Sequence, residues 1–164
     1  QKGYNLKLMS SLLKYIAEKY SVEIYIEPGE AIGLNSGFLI TKVEDVIENQ
    51  GEKTAVLNVS FAAHMPDCLE MPYKPSVFGE SSKGFSFTLG GNTCMSGDFV
   101  RGFLFEKKLN AGQCIVFKDM AHYTFVKTTF FNGVKHPSLG VWTKNNEFKL
   151  LKEFTYKDYK YRLS

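Results

Sequence analysis

Residues 38–60, F-L-I-T-K-V-E-D-V-I-E-N-Q-G-E-K-T-A-V-L-N-V-S, carry the strongest structural signal in the chain. Residues 38–48 and 54–60 are rich in β-branched and apolar side chains, and Asn49-Gln50-Gly51-Glu52 separates them. Two such runs about a glycine-bearing turn predict a β-hairpin. The β pattern continues downstream. Residues 83–89 (K-G-F-S-F-T-L) alternate, residues 99–108 and 113–118 form an expected pair around Asn110-Ala111-Gly112, and residues 139–143 and 147–154 flank Lys144-Asn145-Asn146. Residues 61–75 hold three prolines and read as irregular, while residues 156–163 read as a closing helix. Seven or eight strands with hairpin turns predict a β-sandwich or barrel-like domain. The 14 Phe and 9 Tyr fit that composition.

Upstream the period changes. Leu6, Leu8, Met9, Leu12, Leu13, Ile16, Ala17 and Tyr20 form a stripe at helical spacing, with Asn5 as cap. Residues 21–26 alternate as a short strand that stops at Glu27-Pro28-Gly29. One helix and one strand cannot build a sheet or barrel alone. The expected organisation is therefore mainly β with an α/β start. Residues 1–32 read as the last α/β repeat of a larger domain whose remainder is missing, and residues 33–164 as a β domain.

The chain has 164 residues, enough for one core, and a net charge of +3 without a basic run, which does not predict nucleic-acid binding. No run of about 18 apolar residues predicts a membrane span, and no signal peptide is visible. Cys68, Cys94 and Cys114 are odd in number and lack C-x-x-C spacing, so reduced thiols and a cytoplasmic setting are expected. Cys114, in Q-C-I-V-F, reads as a small core hydrophobe, and Cys68 as structural. His64, His122 and His136 are too widely spaced to predict a metal site.

Three segments carry chemistry: E-P-G-E at residues 27–30, G-G-N-T-C-M-S-G-D at residues 90–98, and D-M-A-H-Y-T at residues 119–124. In this order they resemble the C-terminal part of the pyridoxal-phosphate decarboxylases of the alanine racemase-like fold type (fold type III). Among these, the carboxynorspermidine/carboxyspermidine decarboxylases of polyamine synthesis are most similar. The resemblance implies that residues 1–32 end a (β/α)8 barrel and that residues 33–164 are the C-terminal β domain. It implies pyridoxal 5'-phosphate as cofactor, a polyamine-precursor substrate and a homodimer with shared active sites. The lysine that carries the cofactor in the family sits on the first barrel strand. No residue here matches it, so half an active site is expected and the chain alone should be inactive.

Residue by residue, the resemblance assigns Glu27 to the pyridine nitrogen, and Gly29 and Tyr123 to the phosphate. Many relatives carry Arg at the fourth position of the first segment. Glu30 stands here instead, and an acid there is expected to meet a cationic substrate, as are Asp67 and Asp98. Cys94 is expected to be the catalytic proton donor, since a thiol is mostly protonated at neutral pH. Met95 stands where ornithine decarboxylase-like and diaminopimelate enzymes carry an acid. Phe131-Asn132-Gly133 resembles a segment that closes over the site. The rival readings are a diaminopimelate-, arginine- or ornithine-type decarboxylase, and a β module that only dimerises or regulates.

Overall fold

The computed structural model describes residues 5–164, apart from the Glu30 side chain. The chain divides into two compact units, Gln1–Ile32 and Gly33–Ser164. In the first, helix α1 (Leu6–Tyr20) begins at Asn5, whose side chain accepts the Leu8 N–H at 3.0 Å. Asn5 thereby satisfies one of the donors that a helix start leaves open. Residues 22–28, expected to include a short strand, carry no regular secondary structure, because no other described strand pairs with them. Helix α2 (Glu30–Gly33) follows.

The second unit is built on a five-stranded mixed sheet of order β4-β3-β2-β1-β5. Strands β1 (Phe38–Asn49) and β2 (Glu52–Leu57) form the expected hairpin. Gln50 and Gly51 both have positive φ, as the two-residue turn matching the strand twist requires. A register shift between Val43 and Asp45 divides β1 into two halves. Its first half pairs with β5 (Cys114–Lys118) and its second with β2. Strand β4 (Phe99–Phe105) therefore does not pair with β5 as expected. It lies against β3 (Glu80–Gly90), and the turn around Asn110 carries the chain across to β1.

β2 and β3 run parallel. A parallel pair needs a crossover of a dozen or more residues. The segment expected to be irregular provides it, with two short helices, α3 (Phe61–His64) and α4 (Asp67–Glu70). The sheet then curls toward closure. Val77 bridges to Phe117 on the outer edge of β5, and Glu80, three residues on, pairs with Phe105 of β4. Gly84 permits the accompanying bulge: its φ is +124°, and a Cβ there would lie 2.2 Å from the Phe105 carbonyl oxygen. Inside, Phe61, Phe87, Phe103 and Phe117 are fully buried, and the Phe61 and Phe103 rings meet Phe117 edge-on at 5.7 and 6.5 Å. The domain is mainly β and barrel-like.

Helix α5 (Tyr123–Val126) and a 3-10 turn (Phe131–Gly133) lead to the β6 (Leu139–Trp142) and β7 (Phe148–Lys152) hairpin. Helix α6 (Tyr156–Leu163) closes the chain, its start fixed by a reciprocal Thr155–Asp158 capping pair. Cys114, expected in the core, is exposed. Ile115 and Phe117 take the inner face of β5, and the strand period then turns Cys114 outward.

Candidate functional site

Helix α3 is the anchor of the site. Ser60 caps it, accepting the Ala63 N–H at 2.9 Å, while the Ser60 N–H donates to His64 Nδ1 at 3.1 Å. A helix start still leaves first-turn N–H groups free. The Ala62 N–H points to Asp98 and donates to Oδ1 at 3.0 Å. The Ala63 carbonyl accepts from the Thr129 N–H at 2.7 Å. One short helix therefore holds both the loop carrying Cys94 and the segment carrying Asn132.

Asp98 folds its loop from within. Its carboxylate Oδ2 accepts the Thr93 hydroxyl at 2.5 Å and the Thr93 N–H at 3.2 Å. The Asp98 carbonyl takes the Gly91 N–H at 2.7 Å. A Cβ on Gly91 would lie 2.2 Å from Oδ2, so only glycine lets the strand end pass so close. Asp98 is 4% exposed. Asp98, expected to meet a substrate ammonium, is buried here with both oxygens engaged by its own domain. Cys94 stands exposed in the loop so formed, and the Asn132 Nδ2 donates to its Sγ at 3.0 Å. Asn132 reaches the sulfur from a left-handed backbone, φ +56°.

Asp67, at the start of α4, accepts Tyr73 Oη at 2.5 Å and Thr124 Oγ1 at 3.0 Å, both on Oδ2. Its Oδ1 is buried with no hydrogen-bond partner. Burial, then the bond to Asp67, holds the Tyr73 phenol protonated far above the usual tyrosine range. Burial likewise pushes the Cys68 thiol up to about 11, consistent with a structural role. The Thr124 contact ties α5 to α4, and Lys127 pairs with Glu70 beside it, on the protein surface.

Tyr123 opens α5 and is 73% exposed. Its segment is fastened by the Asn35 N–H to Asp119 Oδ1 at 2.6 Å and the Met120 N–H to the Gly37 carbonyl at 2.9 Å. In the other unit Glu27, Pro28 and Gly29 are exposed, and a Cβ on Gly29 would meet nothing within 4 Å. The Glu30 side chain lies outside the described residues. Sequence reading missed α3 and the Asn132–Cys94 contact. The Ser60-to-His64 spacing and the Asn-Gly pair at 132–133 were the available signals.

The sequence matches the family described as pyridoxal-dependent decarboxylase, C-terminal sheet domain, over residues 9–121. Carboxyaminopropylagmatine decarboxylase of Synechocystis sp. is 42% identical over 98% of this chain and 43% of the relative. Carboxynorspermidine/carboxyspermidine decarboxylase of Campylobacter jejuni is also 42% identical, over 99% of this chain and 46% of the relative. A crystal structure of carboxynorspermidine decarboxylase complexed with norspermidine, from Campylobacter jejuni, superposes with a TM-score of 0.89 at 40% identity. It covers 99% of this chain and 48% of that one. The chain spans less than half the length of each of these relatives. It belongs to the pyridoxal-dependent decarboxylases, in the family of their C-terminal sheet domain.

Proposed function

We propose that this chain is the C-terminal part of an enzyme that decarboxylates carboxynorspermidine or carboxyspermidine, leaving norspermidine or spermidine. The observation that carries the reading is the exposed Cys94 thiol on a loop whose backbone Asp98 pins from below. A proton donor must be reachable, yet held in one place. Cys94 supplies the proton to the substrate carbon that has lost its carboxylate.

Taken singly, each residue assigned to pyridoxal phosphate has the chemistry for it. Tyr123 offers an exposed phenol and Gly29 a backbone with open space around it, both suited to a phosphate. Glu27 is an exposed carboxylate suited to a protonated pyridine nitrogen. When bound, the cofactor withdraws electrons from the bond that breaks. Asp67 Oδ1, buried and without a partner, is the acceptor we assign to a substrate ammonium, with Glu30 as a second acid. Asp98 serves the loop rather than the substrate. The intact enzyme is read as a cytoplasmic homodimer with shared active sites.

The equal identity to the Synechocystis enzyme favours a second reading, in which the substrate is carboxyaminopropylagmatine. The test is carbon dioxide release by the intact enzyme from these carboxylated polyamines and from diaminopimelate, arginine and ornithine. The proposal expects one of the carboxylated polyamines to be preferred by at least about a hundredfold in kcat/KM, equivalent to about 2.7 kcal/mol. Preference for a simple amino acid would overturn it.

A further inference from the structure

We propose that Asn132 is a catalytic residue: its side-chain amide holds the Cys94 sulfur and stabilises it once its proton has gone. The inference rests on the reading of Cys94 as proton donor. The observations are local. Asn132 Nδ2 lies 3.0 Å from Cys94 Sγ, across 38 residues of sequence. The two come from different loops, and each loop is fastened separately to α3, through Ala62 and Ala63.

Asn132 presents its amide from a left-handed backbone. Its φ of +56° is a conformation that most residues avoid and that Asn tolerates. Gly133, at φ +71°, continues the turn, and the Val134 N–H closes it onto the Phe131 carbonyl at 3.2 Å. Among the described residues Asn132 makes no other side-chain hydrogen bond, so the amide is placed for the sulfur. In the proton-transfer step the S–H bond breaks and its electron pair stays on sulfur. The pair left on carbon by the departing carbon dioxide forms the new C–H bond, and solvent later returns a proton to sulfur. A neutral N–H···S contact thereby becomes charge-assisted at the moment of transfer. Stabilisation that grows along the reaction lowers its barrier.

The test uses the intact enzyme with Asn132→Gly, Asn132→Asp and Cys94→Ala, plus each Asn132 variant combined with Cys94→Ala. Glycine tolerates the left-handed backbone and removes the side chain with its amide. Asp keeps the shape and backbone tolerance but turns a carboxylate toward the sulfur. Two readouts are taken: kcat and KM with carboxynorspermidine, and the pH dependence of Cys94 alkylation by iodoacetamide, followed by peptide mass spectrometry. Asn132→Gly is expected to lower kcat by about tenfold with KM nearly unchanged. Asn132→Asp should lower it further, and both should move alkylation to higher pH, Asp more than Gly. In the Cys94→Ala background neither Asn132 change should alter the residual rate. A merely structural asparagine predicts two variants with wild-type alkylation profiles, and that result overturns the inference. So does a wild-type profile for Asn132→Asp alone, which would show that the side chain at position 132 does not act on the sulfur. If Cys94→Ala keeps the wild-type rate and product, the proton-donor reading fails instead, while the alkylation profiles still report whether the amide acts on the sulfur.

Discussion

Asp98 differs from Asp67 in having both carboxylate oxygens hydrogen-bonded within its own domain. Three donors, the Ala62 N–H, the Thr93 N–H and the Thr93 hydroxyl, converge on its carboxylate. Removing the acceptor from these part-buried donors costs up to about 1–3 kcal/mol each when neither protein nor water replaces it. Asp98→Ala should therefore destabilise the chain by about 2–4 kcal/mol, the Thr93 hydroxyl being free to turn away. Asp98→Asn, which keeps one carbonyl oxygen, should cost less. Urea unfolding of the chain reads both. A loss below about 0.5 kcal/mol for Asp98→Ala would mean that the carboxylate is free for a ligand after all. The sequence could not make this distinction. G-G-N-T-C-M-S-G-D has no period from which an inward or outward direction could be read. Cys114 shows the related limit in a strand: Q-C-I-V-F displays the alternation but not its phase, and the burial of Ile115 and Phe117 sets that.

At the level of elements, legibility followed how local the determinant was. The β1–β2 hairpin was readable because its turn residues adopt the backbone that the turn demands. The α1 boundaries were readable from a side-chain cap. The parallel β2–β3 pair and the transfer of β5 to β1 were not, since both depend on partners remote in sequence. Helix α3, four residues long, is too short to show a helical period. Its consequence is testable through His64, which is 2% exposed and whose Nε2 has no hydrogen-bond partner. Burial first, then the nearby His136, lowers its pKa from 6.5 to about 4, against a smaller opposing effect of Asp98. Burial lowers His136 as well. As pH falls below 6.5 the unfolded chain takes up a proton at position 64, and the folded chain does not until about pH 4. This contribution to stability is thus fully present above pH 6.5, falls by up to about 3 kcal/mol between 6.5 and 4, and levels off below. His64→Gln offers the Ser60 N–H a non-titrating acceptor in place of the imidazole. Urea midpoints at pH 7.5, 5.5 and 4.5 should fall less steeply for His64→Gln than for the parent chain. Equal slopes would show that His64 titrates alike in both states.

Taken as a whole molecule, the chain leaves several surfaces uncovered. The apolar stripe of α1 is open at Leu6, Leu8 and Leu12, and Trp142 and Phe148 stand exposed on the β6–β7 hairpin. The loop bearing Cys94 is exposed at the thiol yet internally fixed, which suits a part that completes a site on another surface. The proposed homodimer with shared sites makes this quantitative. Take one intact-length variant lacking the cofactor-bearing lysine of the proposed barrel, and a second carrying Cys94→Ala. Each alone should be nearly inactive. In a two-fold dimer formed by exchange, one of the two sites of each heterodimer pairs an intact barrel with an intact Cys94 loop, and the other carries both defects. Equal mixing makes half the dimers heterodimers, so about a quarter of the wild-type activity should return. Native mass spectrometry of isotope-labelled subunits establishes that exchange has occurred. Exchange without recovered activity would put Cys94 in the site of its own subunit. The exposed loop would then close over the barrel of its own chain, and the shared-site reading would be abandoned.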